Sequence, residues 1–432
     1  MSELRALETS GEEILAFAKA IFPITRSITG EGVRETLRAI KAILPAMEIH
    51  EVPTGTKCFD WTVPQEWQIS EAYIEDPAGG RIVDMKNHNL HVVSYSTPVD
   101  QVLDLDELQN HLHSLPNMPK AIPYVTSYYD DRWGFCLTHE QRESLKPGHY
   151  RAVIRSKKFD GVLNYGELLL KGAKKAEIFL STYVCHPSMA NNEISGPSVV
   201  TYIARWLATL DRRYSYRIIF IPETIGSICY ISRNLKDMKS RVHAGFNVSC
   251  IGDDRSYSII ESRTTDTVAD RVAKHVLKHR GAKTTIHTFL ERGSDERQYC
   301  SPGVDLPVVG LSRTRFFSYP EYHTSLDDFS VVTAPGLKGG FDFVKACLEV
   351  LEGNATFIAT QLCEPQLGRR GLYPTLGARG IESSVDDMLN VLAYSDGNND
   401  LLKIADICGM PFAAAHLAAV RLLDQKLLRL AD

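Results

Sequence analysis

The sequence predicts an α/β protein: a mixed sheet flanked by helices, with an inserted small β-rich domain and a C-terminal winged-helix domain. Two near-continuous apolar runs, at 177–184 and 216–222, are typical of strands buried on both faces of a sheet. The stretch 196–210 between them has the apolar spacing of a helix that crosses from one parallel strand to the next. This alternation of strand, helix and strand indicates a sheet with helices on both faces.

The length of 432 residues predicts more than one domain, because a single core rarely grows beyond about 250–300 residues. Changes in composition along the chain predict an α/β domain made of 1–48 and 131–362. They also predict an inserted β-rich module at 49–130, and a linker followed by a winged helix at 363–432.

Residues 10–45 predict two amphipathic helices. Ser10 and Glu13 have the spacing of a capping box at the start of the first helix. Apolar residues recur at helical spacing after 30–32, which predicts the second helix. The residues 26–30 between them form a compact polar loop.

Between 48 and 130, short alternating runs are broken by proline and glycine, which predicts a small β-rich module. The segment 124–136 is unusually aromatic. Two interpretations stay open for it: the rings pack in the core and at sheet edges, or they form an aromatic wall over a substrate site.

The C-terminal region begins with a linker rich in glycine and proline and continues as three short helical patterns, an order typical of a winged helix or helix-turn-helix. From Ile381 onward, four Lys and Arg residues stand against eight Asp and Glu residues. The helix after Pro411 opens with alanine and leucine, where a DNA reader would carry Arg, Lys, Asn or Gln. We therefore expect no nucleic-acid binding, and instead a packing role or a contact between copies of the chain.

Composition excludes several classes of protein. A formal net charge of −5 argues against a nucleic-acid-binding surface spread over the molecule, and no run approaches the roughly 20 apolar residues of a membrane helix. The nine cysteines include no CxxC pair, and Cys229, Cys347 and Cys408 lie in apolar runs. This pattern predicts reduced, buried thiols in a cytoplasmic protein without membrane partners.

Polar side chains cluster after a strand-like run and again far downstream. The segment 181–200 passes from a β-branched run to His186, then through Asn192 and Glu193 to a Ser-Gly pair, and the segment 321–328 supplies Tyr322 and His323. Imidazole and carboxylate groups are costly to bury at a strand end unless they bind or catalyse something. Because ligands of α/β proteins sit at the carboxyl ends of strands, these clusters predict a metallohydrolase site.

Two further segments carry charged candidates. Glu223 follows the run at 216–222, a position that suits either a general base acting through a bound water or a carboxylate that caps a helix. The loop 289–302 contains Asp295, Glu296 and Arg297. We interpret it either as a solvated loop of ion pairs or as a loop whose carboxylates face a metal or a substrate ammonium group.

These motifs occur in the order of the co-catalytic zinc aminopeptidase superfamily, which includes leucyl-type aminopeptidases and glutaminyl cyclases. More closely, the whole chain is similar to an aminopeptidase-like family linked to bacterial polysaccharide or natural-product pathways. The similar segments are RSITGEGVRETL, CHPSMAN, IPETIGS, RGSDERQY, YPEYHTSLD and GRRGLYPTLG. Members of that family combine a peptidase domain, an inserted β-rich module and a C-terminal winged helix.

The resemblance implies that His186 and His323 are metal ligands and that Glu223 is the general base. Asn192, Thr224 and Ser249 fall where that superfamily has metal-binding carboxylates. Zinc prefers Cys, His and ionised carboxylates, so two metals are not expected.

We expect one zinc ion instead, on His186 and His323, with Glu193 or Asp295 as a substitute carboxylate and Asn192 as a weaker, uncharged ligand. The substrate would be held by Asp295, Glu296, Tyr322 and Arg297.

Three functions follow from these residues. The first is a metal-dependent hydrolase, with one metal, of an amide bond adjacent to a free amine on a small peptide-like or biosynthetic substrate. The second is a repurposed enzyme, metal-free in its simplest form, that performs cyclisation, acyl transfer or lyase chemistry in a biosynthetic pathway. The third is a non-catalytic binding protein that docks through its winged helix.

Overall fold

The computed structural model describes residues 9–128, 130–372 and 385–431. The α-helices of these residues are α1 (Gly11–Ile21), α2 (Glu31–Ile43), α3 (Leu105–Leu108), α4 (His139–Ser144), α5 (Ser195–Ala208), α6 (Ile225–Arg241), α7 (Val268–Lys278), α8 (Glu296–Tyr299), α9 (Ala334–Gly353), α10 (Val385–Tyr394), α11 (Leu401–Cys408) and α12 (Phe412–Asp424). The β-strands are β1 (Glu48–Pro53), β2 (Lys57–Cys58), β3 (Trp61–Thr62), β4 (Glu66–Glu75), β5 (Arg81–Asp84), β6 (Val99–Asp104), β7 (Leu112–His113), β8 (Phe135–Cys136), β9 (His149–Phe159), β10 (Val162–Leu170), β11 (Glu177–Tyr183), β12 (Ser215–Ile221), β13 (Val242–Val248), β14 (Tyr257–Ile260), β15 (Thr284–His287), β16 (Val308–Ser312), β17 (Thr356–Ala359), β18 (Asp396–Asp400) and β19 (Leu428–Leu430).

A mixed eight-stranded sheet forms the centre of the α/β region, in the order β1-β10-β12-β11-β13-β16-β14-β15. Its middle strands β12, β11, β13 and β16 are parallel, whereas β1, β10 and β14 pair in the antiparallel sense. Every residue of β11 is buried, as expected for a strand covered on both faces. The helices α5 and α6 follow β11 and β12 as crossover connections, so the predicted α/β architecture is confirmed.

The small β-rich region forms a separate four-stranded antiparallel sheet in the order β5-β4-β9-β6. Its longest pairing joins β4 to β9, which ends at Phe159. The predicted module boundary at 130 therefore falls before the last strand of this sheet, and β1, placed in the module by the sequence, pairs with β10 of the large sheet.

The two N-terminal helices begin near the predicted positions. The Oγ of Ser10 accepts a hydrogen bond from the backbone N–H of Glu13 at 3.1 Å, which caps α1. The turn before α2 requires glycine, because Gly30 has a φ of +99° and a Cβ there would lie 2.4 Å from the backbone oxygen of Trp67.

The chain divides into two compact units. One comprises 9–270 with 285–342, and the other comprises 271–284 with 343–431. In the second unit α10, α11 and α12 form the predicted three-helix order, completed by the sheet β18-β17-β19. The first turn of α12 is held by α7, since Nε2 of His275 accepts a hydrogen bond from the backbone N–H of Phe412 at 2.9 Å.

Within the described ranges, no single helix has the length and apolar character needed to cross a membrane. Only α11 and α12 taken together pass that test, and they are bent by 119° at their break. Of the cysteines predicted to be buried, Cys229 and Cys347 are buried and Cys408 is half-buried.

Candidate active site

The candidate site lies where the parallel strands of the large sheet end. Because β11 pairs in parallel with both β12 and β13, their carboxyl ends meet at one edge. His186 follows β11, Glu223 follows β12 and Ser249 follows β13. The structure brings the first two together, with Nε2 of His186 3.8 Å from Oε2 of Glu223.

A buried chain of charged groups holds His186. Its Nδ1 lies 2.9 Å from Oε2 of Glu193, whose side chain is fully buried in the π-helical turn Ala190–Ile194. The side chain of Arg26 is fully buried too: its Nε lies 3.3 Å from Oε1 of Glu193 and donates to the backbone oxygen of His186 at 2.8 Å. Since Nδ1 is committed to Glu193, Nε2 is the ring nitrogen left for Glu223 or a ligand.

Burial and neighbouring charges shift the pKa values of His186 and Glu193. Burial lowers the pKa of His186, but the hydrogen bond and charge of Glu193 outweigh it, so the pKa of His186 is raised above its ordinary value. Burial raises the pKa of Glu193, whereas the imidazole and the guanidinium of Arg26 oppose that shift. Glu193 therefore accepts a hydrogen bond from the imidazole through Oε2, while the guanidinium of Arg26 supplies a counter-charge beside Oε1.

His323 lies across from His186 in an aromatic surround. The centroids of the two imidazole rings are 5.8 Å apart, and the ring of Tyr124 lies edge-on to both, at 5.3 Å from His186 and 5.2 Å from His323. Tyr322 stacks on His323 at 3.9 Å. Burial, with the charge of His186, lowers the pKa of His323 to about 3, so this ring is neutral and can offer a lone pair.

The two ends of the aromatic segment 124–136 lie in different surroundings. Tyr124 borders the two histidine rings, whereas Phe135 is buried in the apolar core beside the small sheet. One end of the segment therefore borders the two histidine rings, and the other end packs in the apolar core.

The backbone at Asn192 is held by a second buried carboxylate, that of Asp327. The carboxylate of Asp327 accepts the backbone N–H groups of Asn191 and Asn192 at 2.6 and 2.9 Å and the hydroxyl of Tyr319 at 3.0 Å. Burial raises the pKa of Asp327 to about 7, although these donors oppose the shift. Nδ2 of Asn192 donates to the hydroxyl of Tyr183 at 2.9 Å, and its buried Oδ1 has no hydrogen-bond partner within the described part of the chain.

Glu223 precedes a strained residue, Thr224, whose turn is held by a buried carboxylate from a distant loop. Thr224 has φ 63° and ψ −81°, a conformation that β-branched residues avoid and that concentrates at functional sites. The turn is held by Asp295, whose Oδ1 accepts from the backbone N–H of Thr224 at 2.8 Å and from Oγ of Ser227 at 2.7 Å. Burial and the charge of Glu223 raise the pKa of Asp295 to about 7.

The remaining predicted substrate-binding residues lie in different surroundings. Arg297 donates from NH2 to Oγ1 of Thr224 at 2.5 Å, beside Glu223. Glu296 is fully buried, and its carboxylate accepts from the backbone N–H groups of Gly293 and Ser294 at 2.8 and 3.0 Å and from Nδ2 of Asn247 at 3.0 Å. Glu296 therefore holds its own loop in place. Because its carboxylate oxygens already accept these hydrogen bonds, the structure does not favour the predicted contact with substrate.

Sequence reasoning did not assign Arg26 or Asp327 to the site. Asp327 lies in the polar cluster 321–328, so its nearness to His323 in the sequence could have indicated that it belongs to the candidate site. Arg26 opens the segment RSITGEGVRETL, which resembles the aminopeptidase-like family, but the contact itself was not foreseeable, because the backbone oxygen that Arg26 binds is 160 residues away.

The donor set fits one metal ion better than two. Nε2 of His186 and a neutral His323 are available as donors, and the 5.8 Å separation of their rings is compatible with Zn–N bonds of about 2.1 Å to a shared ion. Oδ1 of Asn192, in the same π-helical turn as Glu193, has no hydrogen-bond partner among the described residues. Within the ranges that the structure describes, the ligand atoms that lie within 4.8 Å of one another belong to a different group, Cys185 with His186 and Glu193. That group fits less well, because burial raises the pKa of the Cys185 thiol well above its usual value and Nδ1 of His186 is already bound to Glu193.

Comparison with known families divides the chain in two. A family model described as a domain of unknown function, DUF4910, matches residues 15–354, and one described as a winged helix-turn-helix matches residues 355–430. A protein of Clostridium acetobutylicum (strain ATCC 824) is 42% identical over 424 residues, covering 98% of this chain and 97% of that protein. Its name provisionally describes a polysaccharide biosynthesis protein with an aminopeptidase-like domain.

Solved structures share the fold. One from Clostridium acetobutylicum, named provisionally as a peptidase, superposes with a TM-score of 0.92 at 42% identity, covering 97% of this chain and 96% of that one. A zinc aminopeptidase of Bacillus subtilis has a TM-score of 0.58 at 13% identity, covering 80% and 96%. An aminopeptidase of Aneurinibacillus sp. strain AM-1 has a TM-score of 0.52 at 12% identity, covering 79% and 94%. The predicted resemblance to zinc aminopeptidases is confirmed at the level of the fold.

Proposed function

The chain belongs to the DUF4910 family and has an aminopeptidase-like fold, and from this premise we propose that it is a metal-dependent hydrolase. The bond it cleaves is an amide adjacent to a free amine, in a small peptide-like or biosynthetic substrate. The observation that carries this proposal is the pairing of His186 with Glu223, since a ligand nitrogen and a candidate base face each other at 3.8 Å.

One zinc ion is proposed, held by Nε2 of His186, by His323 and by Oδ1 of Asn192. When bound, zinc in such a site supplies Lewis acidity toward a carbonyl oxygen and toward water. Thr224 and Ser249 stand where carboxylates would hold a second ion, and the hydroxyl of Thr224 is already bonded to Arg297.

The chain's own residues would do the rest of the chemistry. Glu223, whose side chain is 21% exposed, would take a proton from the attacking water and deliver it to the departing amine. The buried carboxylate of Asp295, with an oxygen lacking a partner among the described residues, suits a substrate ammonium beside Glu223. Tyr124 and Tyr322 would exclude water from the two imidazoles.

Glu223→Gln tests the proposal. We expect about one zinc per chain in both proteins, and a loss of roughly 10²–10⁴ in kcat on aminoacyl amides in the variant, because a general base contributes that much. His186→Ala should lose the zinc. Substrates whose amine is blocked by acetylation should not be cleaved.

Glu321→Gln is the matched control, because the Glu321 side chain is 20% exposed and pairs with Arg255 rather than with an imidazole. It should keep both zinc and turnover. Full activity in Glu223→Gln, or a wild-type protein that takes up no zinc, would contradict the proposal.

A metal-free biosynthetic enzyme is the second candidate, and the donor chemistry of Asn192 favours it. An amide at this position donates to Tyr183, which an ionised carboxylate could not do. The provisional biosynthetic name of the Clostridium relative is consistent with this candidate. Removal of metal by a chelator separates the two: the hydrolase loses activity and regains it with zinc, whereas the metal-free enzyme is unaffected.

A further inference from the structure

The loop between α1 and α2 carries a fully buried guanidinium next to the candidate site. Arg26 is 1% exposed, and its hydrogen bonds reach two separate parts of the fold. NH1 donates to the backbone oxygen of Ile21 at 2.7 Å and to Oγ1 of Thr36 at 3.2 Å, and NH2 donates to the oxygen of Phe22 at 3.4 Å. These contacts fix the side chain at the carboxyl end of α1.

The end of α1 is a favourable place for this cation. The last carbonyl groups of a helix lack intrahelical donors and carry partial negative charge, which stabilises a cation in the last turn. Because the carbonyl groups of Ile21 and Phe22 are satisfied by NH1 and NH2, the remaining Nε of Arg26 is aimed away from the helix.

Nε contacts both members of the pair that presents His186. It donates to the backbone oxygen of His186 at 2.8 Å, and it lies 3.3 Å from Oε1 of Glu193, an atom without a hydrogen-bond donor among the residues described. Nε of Arg26 thus holds the backbone of His186. It also lies beside the carboxylate of Glu193, which orients the His186 ring, and places the positive charge of the guanidinium next to that carboxylate. A buried carboxylate that loses its counter-charge is strongly destabilised where it stands.

We propose that Arg26 is a positioning residue, which fixes Glu193 as the acceptor of the Nδ1 proton and so directs Nε2 of His186 toward the metal. This inference rests on the proposed function. Groups that orient a metal-bound histidine from behind typically contribute 10- to 100-fold to metal affinity, and no contact between Arg26 and the ion is needed.

Zinc affinity of the folded protein is the test, measured by competition with a chromogenic chelator. We expect Arg26→Met to bind zinc about 10- to 100-fold more weakly than wild type. Arg26→Lys keeps the charge, but one ammonium group cannot replace all the contacts of the guanidinium, so we expect an intermediate loss. The visible absorption of the cobalt-substituted protein should change in both variants, because the imidazole is no longer held in one orientation.

Arg217→Met is the matched control. Arg217 is 4% exposed and pairs with Glu177 and Asp237, both at 2.6 Å, without contact to the candidate site. It should lower the melting temperature as the Arg26 variants do, yet keep zinc affinity and the cobalt spectrum unchanged.

The outcomes separate this inference from the function on which it rests. Wild-type affinity and an unchanged cobalt spectrum in folded Arg26→Lys or Arg26→Met would overturn the positioning role and leave the hydrolase proposal standing. An equal loss of affinity in Arg217→Met would also overturn it, because the effect would then be general destabilisation. A wild-type protein that binds no zinc would overturn both.

Discussion

At the level of single residues, Asn192 is an uncharged member of the proposed zinc site. Its backbone N–H is fixed by Asp327 and its Nδ2 by Tyr183, so the amide is well placed although uncharged. An ionised carboxylate is a better zinc ligand than an amide oxygen. On the proposed function, the identity of this side chain would therefore limit the affinity for zinc more than its position does.

Asn192→Asp should strengthen zinc binding, by about tenfold or more, because it adds a carboxylate in the same position. Isothermal titration of the metal-free protein measures the change. Asn191→Asp is the control: its Nδ2 donates to Asp253 at 3.1 Å, so a carboxylate there creates like-charge repulsion and should lower stability without strengthening zinc binding. Weaker zinc binding in Asn192→Asp would contradict Oδ1 as a ligand.

At the level of elements, the strands were predictable and the loops at their ends were not. The runs at 177–184 and 216–222 are continuous and apolar, so their burial followed from hydrophobicity, and their parallel pairing followed from the helical spacing between them. His186 and Glu223 were chosen as candidates because they follow those runs. The role of Glu296 did not follow, since a charged loop in sequence gives no indication of which carboxylate turns inward. Only the fold shows that the carboxylate oxygens of Glu296 accept hydrogen bonds from Gly293, Ser294 and Asn247.

Glu296→Gln should therefore reduce stability rather than substrate binding. The amide cannot accept from all three donors, and hydrogen bonds to a charged group contribute roughly 1.5–3 kcal/mol. We expect a lower urea midpoint, with KM and zinc content of the folded protein unchanged. Glu291→Gln, at a half-exposed residue of the same loop, should change the midpoint little. A raised KM at unchanged stability would instead support the substrate contact predicted from sequence.

At the level of the whole molecule, family boundaries and compact units do not coincide. The DUF4910 match ends at 354, but the second unit joins 271–284 to 343–431. Its internal contacts include Phe412 on His275 and an ion pair of 2.7 Å between Arg271 and Asp400. The sequence predicted the three helices correctly, but it gave no sign that α7 packs with them, because such contacts lie far apart along the chain.

A chain truncated after residue 354 should unfold at a lower temperature than the full chain, because α7 and α9 lose the surface that covers them. Differential scanning calorimetry measures this. In the full chain, His275→Ala should lower the melting temperature in the same direction by a smaller amount, since it removes the acceptor for Phe412 and the 2.6 Å contact with Asp406. An unchanged melting temperature in the truncated chain would show that the winged helix is an independent appendage.

The backbone of Thr224 also bears on how this site could change over evolutionary time. In the proposed metal site, a carboxylate at 224 would be a candidate ligand for a second ion, yet the backbone N–H of Thr224 is bound to Asp295 and its side chain meets the guanidinium of Arg297. A glutamate there would pair with Arg297 before it met an ion. A single substitution at 224 would therefore not present a free carboxylate, and a second change that removes the guanidinium of Arg297 would have to accompany it.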